Sequence, residues 1–100
     1  MNEERVMIIT GGSTGLGSEL AKYFVSKGFR LVVNYFFDKD VQELISNNPA
    51  LGNKDKVLFS QADVSNREQV QSMFDNAINK FGRVDILLNF AGINRDAPFT

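Results

Sequence analysis

Four of the chain's eight glycines fall within seven positions, Gly11-Gly12-Ser13-Thr14-Gly15-Leu16-Gly17. Without side chains, such a turn lets phosphate oxygens reach the backbone. A helix starting beside it adds unpaired N–H groups and a partial positive charge. Anion binding is therefore the first chemistry to weigh. Gly12 and Gly17 are spaced as in a triphosphate-binding loop, but Ser18 occupies the position of the essential lysine and Glu19 follows it. A carboxylate and no lysine disfavour a triphosphate. Two readings stay open on the residues alone: a turn that needs only flexibility, and a cradle for the pyrophosphate of a dinucleotide.

Other chemistries are excluded by absence. With no cysteine there is no disulfide, thiolate nucleophile or sulfur-ligated zinc. With no histidine, neither a Ser-His-Asp triad nor most catalytic metal sites can be built from these residues.

The elements around the turn are legible from periodicity. Val6 to Thr10 is a short apolar run of the kind buried on both faces of a sheet. From Leu16 the spacing becomes helical, with Leu16, Leu20 and Phe24 on one stripe, Ala21 and Val25 beside it, and Gly28 as the stop. Leu31 to Phe37 reads as a strand, and Asp38 as the cap of a short helix holding Val41, Leu44 and Ile45. A polar loop leads to a strand over Val57 to Ala62. Ser65 and Glu68 then form a capping box ahead of Val70, Met73, Phe74, Ala77, Ile78 and Phe81, and Gly82 ends the run. Val84 to Phe90 reads as a last buried strand. The order β-α-β-α-β-α-β predicts an α/β fold, a Rossmann-type, doubly wound parallel sheet in a three-layer sandwich, forming one domain over residues 1–100.

The charged residues nearly cancel, giving a net charge of -1, and the basic ones are scattered. Nothing forms the basic stripe that nucleic acid requires. No segment approaches the ~20 apolar residues of a membrane span. The N-terminus is acidic and too short in apolar residues for a signal peptide, so a cytoplasmic location is expected.

Three segments in order carry a family resemblance. Thr10 with Gly11, Gly15 and Gly17 resembles the "TGxxxGxG" loop of the short-chain dehydrogenases/reductases. "ADVSN" at 62–66 is similar to that family's adenine-contacting segment, and "FGRVDILLNFAGI" at 81–93 to its "G-x-(I/V)-D-x-L-V-N-N-A-G" strand and turn. The resemblance implies a dinucleotide held by Gly11, Ser13, Thr14, Gly15, Leu16 and Gly17, with Tyr35 at the end of the second strand. Asp63 is placed at the adenine with Val64 beside it in the cofactor site, and Asn89, Ala91 and Gly92 where the cofactor's ribose lies against the backbone. Asp63 also reads as a plain turn residue, and Asn89 as a tie between strands. The family's second asparagine is Phe90 here. "AGINRD" at 91–96 is similar to the "AGITRD" of 3-oxoacyl-[acyl carrier protein] reductases, which implies an acyl thioester substrate, fatty acid biosynthesis and a homo-oligomer at full length.

No carboxylate stands at the end of the second strand, where Asn34, Tyr35 and Phe36 occur, so a 2′-phosphate is tolerated and NADP(H) is favoured over NAD(H). Thr14 replaces the arginine that many NADP-using relatives carry, while Lys39 lies nearby. The serine, tyrosine and lysine of the family's chemistry have no counterpart. Tyr23 and Lys27 match Y-x-x-x-K, but on the first helix. The expectation is a cofactor-binding half, truncated before the catalytic half and inactive alone. Another alcohol, sugar or steroid dehydrogenase, and a non-catalytic dinucleotide-binding module, are the competing readings.

Overall fold

A computed structural model gives the fold and describes residues 5–12 and 15–90. Its elements run β1 (Val6–Thr10), α1 (Gly15–Ser26), β2 (Arg30–Tyr35), α2 (Asp38–Asn47), β3 (Val57–Gln61), α3 (Arg67–Phe81) and β4 (Ile86–Asn89). The strands form one sheet in the order β3-β2-β1-β4, every pair parallel. Ile8 on the central strand lies beside Val32 on one side and Leu87 on the other.

β1 and the first part of β2 are buried as their apolar runs predicted, whereas β2 stops at Tyr35 and leaves Phe36 and Phe37, read as part of the strand, exposed. All of β1 is covered, and Leu31, Val32 and Val33 of β2 are fully buried. Alternation sends Met7, Ile9, Leu31 and Val33 to one face, against Ala21 of α1 and Leu44 of α2. Ile8 and Val32 go to the other face, against Met73 and Ala77 of α3. Each buried side chain of this size contributes about 1.5–3 kcal/mol. The expected doubly wound, three-layer arrangement is present.

Several local readings need correction. The buried stripe of α1 passes through Gly17 and Ala21, while Leu16 is 56% exposed at the start of the helix. The cap of α3 is Asn66, whose side chain accepts from the Gln69 N–H at 3.1 Å. Ser65 is drawn instead into a turn with Asp63. Asp38 begins α2 rather than capping it; the cap position is Phe37, and Asp38 and Asp40 complement the helix dipole from the first turn. The 47–56 loop contains a 3-10 turn, Pro49–Gly52, because Pro49 presets its backbone and Leu51 is buried in the core. β4 is shorter than read and only half-buried, with Leu87 48% exposed.

Candidate functional site

In an open parallel sheet, ligands bind outside the carboxyl ends of the strands, where the strand order reverses. Here β1 leads one way to β2 and the other way to β4, so that point lies at the end of β1. The glycine turn leaves β1 at this place. Gly11 and Gly15 have φ of 67° and 59°, a left-handed region that a side chain disfavours. Gly17 meets a different demand. A Cβ there would stand 2.3 Å from the Gly11 carbonyl oxygen and 2.9 Å from the Gly12 Cα. The first turn of α1 therefore lies directly against the exit of β1. Gly12 is nearly as constrained, since its Cβ would meet the Ile9 oxygen and the Val33 side chain at 3.0 Å.

The first-turn N–H groups of α1, those of Gly15, Leu16 and Gly17, have no acceptor within their own helix. No acidic side chain sits in that turn to oppose an anion. The N–H groups of Gly11 and Gly12 face elsewhere. Gly11 donates to the Asn34 side-chain oxygen at 3.0 Å, and Gly12 to the Asn34 main-chain oxygen at 3.1 Å.

The other predicted residues gather at the same end of the sheet. Asn89, last in β4, accepts from the Thr10 hydroxyl at 2.5 Å, tying the two strands that flank the reversal. This is the tie between strands expected of it. Tyr35, last in β2, packs edge-on against Phe59. Burial raises its hydroxyl pKa above the ordinary value, and the negative charge of the nearby Asp38 carboxylate raises it further. Phe36 and Phe37 follow, both exposed and edge-to-face at 4.9 Å.

Asp63 opens the turn after β3. Its carboxylate accepts from the Ser65 N–H at 2.9 Å and the Ser65 hydroxyl at 2.7 Å, while its own N–H donates to the Gln69 side chain at 2.8 Å. This turn is built from side chains and holds Val64 outward, 38% exposed. Ser13, Thr14, Ala91 and Gly92 lie outside the described residues. Tyr23 and Lys27 sit at the far end of α1 from the glycine turn, with the ammonium 5.4 Å from the ring centre. No group of three His, Cys, Asp or Glu side chains able to hold a metal occurs among the described residues.

Asn34 is a functional residue that its lack of charge alone does not reveal. An amide interrupting a buried strand, Leu-Val-Val-Asn-Tyr, was the signal available. A buried amide must find partners, and turns are where unpaired backbone groups occur.

The family model for short chain dehydrogenases matches residues 5–100. The chain belongs to the short-chain dehydrogenase family. The short-chain dehydrogenase reductase 3c of Arabidopsis thaliana is 36% identical over 92 residues, which cover 91% of this chain and 34% of that protein. Two solved structures are similar as well. A short-chain dehydrogenase/reductase from Burkholderia phymatum in complex with NAD is 32% identical with a TM-score of 0.74, covering 87% of this chain and 31% of that one. A 3-ketoacyl-(acyl-carrier-protein) reductase from Brucella melitensis complexed with NADH is 30% identical with a TM-score of 0.73, covering 85% and 33%. This short-chain dehydrogenase chain spans between 25% and 37% of the length of the curated relatives it matches. The family is one of oxidoreductases that bind a nicotinamide dinucleotide, and the glycine turn fits one: the three glycines it requires stand at 11, 15 and 17.

Proposed function

We propose that this chain holds the dinucleotide for a reductase that acts on the 3-keto group of an acyl thioester in fatty acid biosynthesis. One observation carries the dinucleotide part: α1 packs so closely on the exit of β1 that a Cβ at Gly17 would stand 2.3 Å from backbone. That contact brings the helix N-terminus to the reversal of strand order, where its N–H groups bind the pyrophosphate. Asp63 and Val64 flank the adenine, and Asn89 with Ala91 and Gly92 lines the nicotinamide ribose. When bound, the dinucleotide supplies the hydride. The family's proton-donating tyrosine, with its lysine and serine, is not matched on the strands and turns that carry this site, so the role assigned to these residues is cofactor binding rather than proton transfer. The thioester reading is supported by "AGINRD" at 91–96 and by the similarity to the Brucella reductase.

The favoured cofactor is NADP(H). β2 ends without a carboxylate, Phe36 and Phe37 add none, and Lys39 is close by. NAD(H) is the second reading, favoured by the Asp38 carboxylate three residues beyond the end of β2, which would repel a 2′-phosphate. Calorimetric titration of the protein with NADPH and NADH separates them. The expected result is binding of both, tighter for NADPH. Tighter NADH overturns the cofactor choice alone, and no heat with either overturns the dinucleotide reading.

A further inference from the structure

We propose that Asn34 is the positioning residue of the nucleotide site, clamping the glycine turn after β1 to the turn after β3 through one buried amide. The proposal rests on the dinucleotide reading and adds a residue to it.

Asn34 is 3% exposed and sits between the two turns. Its side-chain oxygen accepts from the Gly11 N–H at 3.0 Å. Its amide nitrogen donates to the Ala62 carbonyl at 3.1 Å and, more weakly, to the Ser60 carbonyl at 3.4 Å. Its main-chain oxygen takes the Gly12 N–H at 3.1 Å. Two successive peptides of the glycine turn thus end on one residue, whose other side holds the backbone just before Asp63.

The demand is for one acceptor and two donors in a single planar group, which the asparagine side chain supplies. Aspartate offers acceptors only and would face two carbonyls. Serine has one donor and a shorter reach. Valine or leucine, in keeping with Leu31, Val32 and Val33, would leave buried backbone groups unpaired at both turns. A strand-stabilising role alone predicts no preference among the turns, yet every side-chain bond of Asn34 goes to a turn or to the last residues of β3.

The clamp also decides which donors face a ligand. With the Gly11 and Gly12 N–H groups turned inward onto Asn34, the first-turn N–H groups of α1 are the ones presented to a pyrophosphate. Losing the amide frees the turn, so its alignment with the Asp63 segment is lost together with it.

The test compares Asn34→Ala with Val32→Ala, both fully buried positions on the same face of β2. Calorimetric titration with NADPH and NADH is combined with hydrogen exchange of the Gly11 amide. Val32→Ala lowers the melting temperature and leaves dissociation constants unchanged. Asn34→Ala weakens the dinucleotide about tenfold, the equivalent of one hydrogen-bonded constraint, and speeds exchange at Gly11 relative to Ile8 and Ile9. If Asn34→Ala does not fold, Asn34→Ser stands in, with the same expectations. Dinucleotide binding unchanged in the Asn34 variant, or a Gly11 amide still protected, overturns the clamp while the dinucleotide reading stands. Failure of the unsubstituted protein to bind either dinucleotide overturns that reading, and the clamp's purpose with it.

Discussion

β1 and β4 are stitched together twice, once at each end, and the two stitches differ in kind. At the amino end the Val6 N–H donates to the Asp85 carboxylate at 2.9 Å, and Arg83 holds that carboxylate at 2.7 Å. At the carboxyl end the Thr10 hydroxyl donates to the Asn89 amide oxygen at 2.5 Å. The first is ionic and at the surface; the second is neutral, with Thr10 buried. The glycines divide in the same way. Gly28 and Gly82 end helices near the amino end with φ of 91° and 84°, and an added Cβ would meet nothing within 4 Å. Gly17 at the carboxyl end would meet backbone at once. One end of the sheet is fastened where charge is tolerated. The other uses neutral bonds between the strands and missing side chains, which leaves its N–H groups facing an anion without a competing carboxylate in the helix's first turn.

Breaking that contrast is easiest at Gly17. An alanine there forces α1 away from the Gly11 carbonyl, because backbone cannot yield as a flexible side chain can. Overpacking of this kind costs about 3 kcal/mol. Gly17→Ala is expected to lose that much in urea denaturation and to lose dinucleotide binding in calorimetry. An alanine variant with unchanged stability would mean the helix start is not pressed against the turn.

The same contrast explains what was legible in the sequence. The glycine spacing announced the carboxyl end, since close approach and positive φ leave glycine as the residue that fits. Periodicity announced the strands and helices, because burial on both sheet faces demands continuous apolar runs such as Val6 to Thr10. Features set by three-dimensional partners were hidden. Ser65 and Glu68 fit a capping box by spacing, but Asp63 captures Ser65 and leaves Asn66 to cap α3. Leu16 fits the apolar stripe, but the tight contact at Gly17 rotates the buried face and leaves Leu16 exposed. Asn34 drew notice only for lacking charge, since nothing in a linear reading says which distant carbonyls it meets.

Gly82 sharpens the comparison from the other side. It closes α3 in the left-handed region, with its N–H donating to the Ile78 carbonyl at 2.8 Å. Gly82→Ala pays only for the backbone conformation, about 1 kcal/mol. The expected outcome is a small drop in urea stability with dinucleotide affinity unchanged, whereas Gly17→Ala loses both. A loss of binding at Gly82→Ala would mean that the two ends are coupled through α3.

The smallest effect concerns pH and belongs to Asp85. The Arg83 side chain, and then the Val6 N–H, hold its carboxyl pKa below the ordinary 3.8. A carboxyl group depressed on folding stabilises the fold above its unfolded value and loses that contribution as pH falls through the folded one. The stitch at the amino end should therefore weaken below about pH 4, whereas Thr10–Asn89 carries no titrating group. Asp85→Asn keeps an acceptor for Val6 and removes the charge, so its melting temperature is expected to vary less with pH across that acid window. An equal acid dependence in the variant would assign the loss to other carboxylates and leave the amino-end stitch as neutral in effect as the one beside the site.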